Sequence, residues 1–107
     1  MILQINFILN VPVSEYEDLA RSVAQAFAEL PGLAWKIWLL NEATLEAGGI
    51  YQFDNQASLD AFLNGPLVAQ MKTMTAIRNL SVKQFEVMTE VTALTRGPVG
   101  SLSTAHV

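Results

Sequence analysis

The chain has no cysteine and a single histidine, His106, among its 107 residues. The absence of cysteine excludes a disulfide framework, a thiolate metal site, an iron–sulfur cluster and a cysteine nucleophile. One histidine near the C-terminus and carboxylates dispersed along the chain leave no constellation of metal ligands. The sequence therefore predicts neither a bound metal nor a cofactor.

Positive charge is also scarce, since six Lys and Arg stand against ten Asp and Glu, giving a net charge of −4. The basic residues are scattered, so no basic stripe is available to contact the phosphates of a nucleic acid. No apolar run approaches the roughly 18–20 residues of a membrane span, and the N-terminus lacks the features of a signal peptide. We expect a cytoplasmic protein that contacts neither nucleic acid nor membrane.

Hydrophobic residues make up 51% of the chain, which is enough for the core of one domain. Alternation of apolar residues over 1–10 predicts a first strand. Apolar residues at three- and four-residue spacing predict a helix after it, beginning with a capping box of Ser14 and Glu17 and ending at Pro31-Gly32.

The next segment predicts a long hairpin, because residues 33–40 and 50–53 are rich in aromatic and branched side chains around a turn at 41–44. Two short helices should follow, the first capped by Asp54 or Asn55. The remaining predicted segments are a second short helix starting at Pro66, a last strand within 79–91, and a flexible tail over 96–107 that leaves residues 1–95 as the domain.

This order of elements suits an α+β domain of ferredoxin-like topology, in which an antiparallel sheet carries helices on one face. The other face is not polar enough for water alone, because Trp38, Leu40, Ile8 and Met88 would be exposed there. We therefore expect a second copy of the chain to cover it, forming a homodimer.

The hairpin also carries a resemblance to a known family. Residues 31–38 are Pro-Gly-Leu-Ala-Trp-Lys-Ile-Trp, Asn41 follows, and residues 46–53 are Glu-Ala-Gly-Gly-Ile-Tyr-Gln-Phe. This pattern resembles the YdhR family of monooxygenases, part of the dimeric α/β barrel superfamily. The resemblance spans residues 1–95 and implies ferredoxin-like protomers whose sheets pack face to face around internal cavities.

The activities implied by the superfamily are diverse: cofactor-independent quinol oxygenases, heme-degrading and chlorite-converting heme proteins, muconolactone isomerases and stress-induced proteins. The heme-degrading branch has an asparagine on its first strand, which Asn6 could match, and a tryptophan and a histidine on or near the later helix. Residues 54–77 contain neither. The resemblance therefore disfavours heme.

Two tryptophans of the hairpin lie on opposite faces of a regular strand, since they are three positions apart. Trp35 belongs to the more apolar set and should pack under the helices, which leaves Trp38 and Lys36 facing the barrel pocket. A register slip of one residue would exchange the tryptophans. Pairing around the predicted turn places Tyr51 opposite Ala34, on the face of Lys36 and Trp38.

A lysine in an apolar pocket requires a carboxylate or a bound anion, and Glu86 on the last strand is the expected partner. In the site hypothesis Lys36 stabilises an anionic substrate oxygen, and Glu86 or Tyr51 acts as the base. Alternatively, Lys36 reaches water at the sheet rim and Tyr51 packs at the dimer interface. The candidate catalytic residues are Lys36, Tyr51 and Glu86, and the candidate substrate-binding residues are Asn6, Trp38 and Trp35.

Two functions remain compatible with these residues. One is a cofactor-independent monooxygenase acting on a small planar phenolic or quinone-like compound, whose anion itself reduces dioxygen. The alternative is a dimer that binds a small apolar or aromatic ligand, or serves in a stress response, without catalysis. The sequence contains no assured acid–base pair that decides between them.

Overall fold

Four strands and four helices are found in the computed structural model, which describes residues 1–99. The order predicted from the sequence is confirmed as far as β4. The last helix was not predicted: β4 ends at Phe85, and residues 89–91 of the predicted last strand belong to this helix. The elements are β1 (Ile2–Leu9), α1 (Val13–Ala28), β2 (Leu33–Asn41), β3 (Glu46–Phe53), α2 (Gln56–Leu63), α3 (Pro66–Thr73), β4 (Ile77–Phe85) and α4 (Thr89–Leu94).

The strands form one antiparallel sheet in the order β2-β3-β1-β4, so β2 and β4 are its two edges. One face of β1 is buried against the helices, and alternate residues of the strand point away, as the period-2 pattern predicts. The ferredoxin-like α+β fold with helices on one face is therefore confirmed. The buried residues of β1 are Leu3, Ile5, Phe7 and Leu9.

The ends of two helices differ in how well the sequence predicted them. The capping box is wrong, because α1 starts two residues earlier than it implies, at Val13, with Pro12 at the N-cap and no side-chain cap. Ser14 therefore lies inside the first turn. In α2 the predicted cap is confirmed, since Asn55 Oδ1 accepts a hydrogen bond from the Ser58 N–H at 2.9 Å.

The β2–β3 hairpin has a register different from the predicted one. Tyr51 pairs with Lys36 rather than with Ala34. A bulge lies between Leu33 and Trp35, so the strand alternation reverses there. Leu33 still packs on the core, but the next residue of β2 to face the helices is Lys36.

The predicted orientation of the two tryptophans is consequently wrong. Trp38 packs edge-on against Phe27 of α1, with ring centroids 5.4 Å apart, so it lies on the helix-covered face. Trp35 pairs with Gln52 on the helix-free face. Of the four residues expected to be exposed on the helix-free face, Ile8 lies on it, whereas Trp38 and Leu40 are on the helix side and Met88 follows β4.

Residues 96–99 begin the predicted tail and pack on the domain. Trp35 Nε1 donates a hydrogen bond to the Pro98 carbonyl oxygen at 2.9 Å, and the Val99 side chain is buried. The rest of the predicted tail, residues 100–107 with His106, lies outside the described residues. Within residues 1–99, no helix is both long and apolar enough to cross a membrane.

Candidate functional site

The Lys36 side chain lies among three aromatic rings that come from different elements of the fold. Its Nζ is 3.3 Å from the ring centroid of Trp38 in β2, 3.5 Å from that of Phe27 in α1 and 4.8 Å from that of Tyr51 in β3. We call Lys36 and these three rings the aromatic cage. Because the rings present π-electron density to Nζ, they attract an ammonium without supplying a hydrogen-bond acceptor.

Two glycines of β3 make room for the cage. A Cβ on Gly49 would lie 2.8 Å from Lys36 Cε, and one on Gly48 would lie 1.9 Å from the Ile5 carbonyl oxygen. Gly49 therefore lets the lysine cross the sheet surface, while Gly48 lets β1 and β3 approach each other. A side chain at either position would clash with its neighbour.

The amine of Lys36 has no ionic partner within residues 1–99. The ion pair found in this part of the chain is between Arg21 and Asp18, at the surface. Burial lowers the pKa of Lys36 to about 7. The ring contacts favour the charged form and so oppose part of this effect. At neutral pH the lysine can thus change its protonation state, as a general base must.

The predicted pairing of Lys36 with Glu86 is wrong. Lys36 is on the edge strand β2, whereas Glu86 follows β4 at the opposite edge, with β3 and β1 between them. Glu86 is exposed and does not line the cavity beside the cage. Strand order therefore separates two residues that the sequence placed on one face.

Tyr51 of the cage and Tyr16 in the wall of the neighbouring cavity are both suited to donating a hydrogen bond rather than to accepting a proton. Burial raises the pKa of Tyr51, and nearby Tyr16 raises it further; burial also raises the pKa of Tyr16. Both phenols therefore stay protonated at neutral pH. A raised pKa argues against the predicted role of Tyr51 as a base, because a base must be deprotonated at the working pH.

A cavity of about 60 Å³ lies between the sheet and the helices, beside the cage. This corresponds to about two water molecules at roughly 30 Å³ each. This cavity is on the helix-covered face of the sheet, whereas the sequence analysis predicted a pocket on the barrel side. Met71 and Met74 form part of its wall, and such unbranched thioether side chains repack easily around a ligand.

The other candidate substrate-binding residues lie away from this cavity. Asn6 is on the helix-free face, where its Oδ1 accepts a hydrogen bond from Gln4 Nε2 at 2.8 Å. Trp35 shares that face and is bonded to the Pro98 carbonyl. Of the six candidates, the structure brings together Lys36, Trp38 and Tyr51.

Sequence reasoning missed the helix residues of the site. Phe27 and Tyr16 belong to the apolar stripe of α1, and Met71 belongs to that of α3, so each was predicted as core. In the sequence these site residues look like ordinary core residues. Helical periodicity shows which face of a helix is buried, but not whether that face packs on the core or lines a cavity.

Comparison with known proteins decides the family. Residues 2–98 match the family model described as "Putative mono-oxygenase ydhR". The chain belongs to the YdhR family. This membership confirms the resemblance seen in the hairpin that carries Trp35 and Trp38. The match covers almost all of the described residues of this YdhR-family chain. A search of curated proteins finds no match.

Solved structures share the fold of this YdhR-family chain at low identity. A protein of unknown function from Nitrosomonas europaea has 16% identity and a TM-score of 0.68, covering 81% of this chain and 87% of its own. A "putative antibiotic biosynthesis monooxygenase" from Deinococcus radiodurans has 16% identity and a TM-score of 0.64, covering 81% and 92%. The heme-degrader MhuD from Mycobacterium tuberculosis has 19% identity and a TM-score of 0.64, covering 84% and 98%. At these identities the likeness establishes the fold alone.

Proposed function

We propose that the chain is a cofactor-independent monooxygenase that oxidises a small planar phenol at the aromatic cage. The observation that supports this proposal most is the partly buried Lys36 amine, which lies 3.3 Å from the Trp38 ring centroid and has no carboxylate partner in residues 1–99. A neutral amine can take the phenolic proton. The ammonium that results then lies beside the phenolate and stabilises its charge.

The substrate itself supplies the electrons in this proposal. A phenol with hydrogen on its para carbon reacts with one dioxygen: one oxygen atom becomes the second carbonyl of a para-quinone, and the other leaves as water. The phenol loses four electrons and dioxygen gains four, so no external reductant is consumed. Lys36 holds the phenolic proton and can return it to the departing oxygen.

The surroundings of Lys36 suit a planar ring. Trp38 and Phe27 offer aromatic faces, and the protonated Tyr51 hydroxyl can donate to a substrate oxygen. A cavity of about 150 Å³ holds benzene. The existing cavity of about 60 Å³ must therefore widen, which Met71 and Met74 allow by changing rotamer.

Heme fits these residues poorly, although MhuD is described with two hemes bound in its active site. The cavity of about 60 Å³ is far smaller than a porphyrin. Residues 1–99 contain no histidine or cysteine, and the raised pKa values of Tyr16 and Tyr51 disfavour the phenolates that would bind iron. The proposed reaction accordingly uses no heme.

Oxygen uptake with 1-naphthol tests this function directly. We expect the chelator-treated protein to consume one dioxygen per naphthol and to form 1,4-naphthoquinone, which is followed by absorbance. The control is 4-methyl-1-naphthol, whose blocked para carbon cannot become a carbonyl. Absence of uptake above the protein-free rate, or uptake that requires added metal, contradicts the proposal.

Substrate binding is tested separately with 4-methylphenol, which is blocked at the para carbon and not converted to a quinone. We expect it to change the indole emission in the wild type and in Trp35→Phe, but not in Trp38→Phe, because Trp38 lies in the cage and Trp35 lies on the other face. Each tryptophan variant is the control for the other. A response that depends on Trp35 would place the ligand on the helix-free face, and binding without oxygen uptake would favour the non-catalytic alternative.

The same proposal includes a homodimer formed through the helix-free face. Two large apolar side chains of this face, Ile37 and Phe85, are 49% and 47% exposed. Gln52 on the same face is fully buried, yet its Oε1 has no hydrogen-bond partner among the described residues. Ile37 is on edge strand β2 and Phe85 on the opposite edge strand β4, so exposed apolar side chains occur at both edges of this face, and a second copy would cover both symmetrically.

Light scattering checks the dimer, for which we expect about twice the chain mass of 11.7 kDa at micromolar concentration. Ile37→Lys should shift the protein to a monomer, because it would bury an unpaired ammonium in the interface. Leu94→Lys is the matched control, since Leu94 lies on α4 and is 74% exposed. A folded wild-type monomer, or dissociation by both variants alike, speaks against this interface.

A further inference from the structure

We propose that Lys36 is also a carbonyl-reactive amine that forms an imine with a small aromatic aldehyde entering the aromatic cage. This activity goes beyond the proposed oxygenation. It uses neither dioxygen nor a phenol, so it can stand or fall independently of that function. It rests on the three aromatic rings that contact Nζ and on the lack of a carboxylate beside it within residues 1–99.

The groups facing Nζ leave its lone pair available. Its contacts are the rings of Phe27, Trp38 and Tyr51, and no Asp or Glu within residues 1–99 lines the cavity. The titratable groups there are Tyr51 and Tyr16, which burial keeps neutral. A lysine removed from water without an ionic partner loses its proton readily, and neutral amines are the nucleophiles in Schiff-base formation.

The other two lysines of the chain are exposed and do not lie in the aromatic cage. Lys72 is in the last turn of α3 and Lys83 is on the edge strand β4, and both are exposed. They therefore serve as internal references for the reactivity of Lys36.

The chemical step needs no oxidant or reductant. The Nζ lone pair attacks the aldehyde carbon, the carbonyl electrons move to oxygen, and a proton passes from nitrogen to that oxygen. The carbinolamine then loses water, forming a carbon–nitrogen double bond. The departing oxygen takes the second amine proton with it, the protonated hydroxyls of Tyr51 and Tyr16 can donate hydrogen bonds to that oxygen, and the apolar wall limits the water that would hydrolyse the imine.

The aromatic class of the aldehyde follows from the cage. An aryl group attached to the imine carbon would lie against the rings that already surround Nζ, where aromatic pairs are favourable. Access is available at the sheet edge, since β2 is an edge strand and Trp38 remains 37% exposed. An aliphatic aldehyde would lack these ring contacts.

Reductive trapping with benzaldehyde tests the inference. The full chain is incubated at neutral pH, without oxygen, with benzaldehyde and cyanoborohydride, which reduces an imine to a stable secondary amine. Peptide sequencing by mass spectrometry then gives the labelled fraction at each lysine and at the N-terminus. We expect Lys36 to be labelled at least about tenfold faster than Lys72 or Lys83, because removal from water favours the neutral, nucleophilic form of the Lys36 amine, whereas the other two lysines are exposed.

Three comparisons make the outcome decisive. Unfolding the chain in urea should remove the preference for Lys36, and Lys36→Arg should remove the label at that position, since arginine stays protonated. Equal labelling of the three lysines in the folded chain, or slower labelling of Lys36, overturns the inference. Selective labelling by propanal but not by benzaldehyde overturns the aromatic class. None of these results depends on oxygen uptake, so failure here is distinguishable from failure of the monooxygenase proposal.

Discussion

Replacing Lys36 by methionine is expected to lower kcat/KM for 1-naphthol by at least about 100-fold, the usual contribution of a general base. Methionine has a comparable unbranched side chain but no amine, so the loss reports on chemistry rather than on packing. The measurement is oxygen uptake at about pH 8. Lys83→Met is the matched control, because the same substitution there removes an exposed lysine on β4.

A second variant separates the two roles given to the amine. Lys36→Arg retains a cation but cannot lose its proton, so it should be as inactive as Lys36→Met. In the wild type, kcat/KM should rise through about pH 7 as Lys36 becomes neutral. If Lys36→Arg keeps most of the activity, or if the wild-type rate falls over this range, Lys36 stabilises charge without acting as the base.

The Lys36→Met substitution should also stabilise the fold, by about 3–5 kcal/mol at about pH 6. Burial lowers the pKa of Lys36 from 10.5 to about 7, and each unit of such a shift corresponds to about 1.4 kcal/mol. Cation–π contacts recover up to about 2 kcal/mol of this cost. Urea unfolding of both proteins at equal chain concentration measures the difference.

The pH dependence identifies the amine as the source of this difference. Between about pH 7 and pH 10.5 the unfolded chain binds more protons than the folded chain at this residue, so wild-type stability rises with pH relative to Lys36→Met. The two curves should therefore converge near the upper pH. A wild type that is the more stable protein at about pH 6, or a stability difference that stays constant with pH, contradicts the expectation.

If Lys36→Met loses activity and at the same time unfolds less readily than the wild type, Lys36 is present for function rather than for stability. A buried, unpaired amine is costly, and a site selected only for stability would hold an apolar side chain there. Groups kept at such a cost are typical of catalytic sites, where burial tunes the protonation state that the reaction needs. This distinguishes Lys36 from the surrounding core residues.

The grouping of Lys36, Trp38 and Tyr51 was predicted correctly although their pairing was not. The predicted register set Tyr51 opposite Ala34, and the structure sets it opposite Lys36, a shift of two residues. Because side chains alternate with a period of two, such a shift leaves every residue on the same relative face. A shift of one would have separated Tyr51 from the other two.

The sequence by itself determined the order of elements through β4, the buried face of β1, the family and the grouping of three cage residues, because these depend on local periodicity and on a motif within one hairpin. The tertiary structure alone decided which sheet face the cage occupies, since a bulge between Leu33 and Trp35 reverses the alternation and leaves no mark in composition. It also excluded Glu86 as a partner, because strand order is a long-range property. The lowered pKa of Lys36 likewise arises only when Phe27 of α1 and its neighbours remove the amine from water.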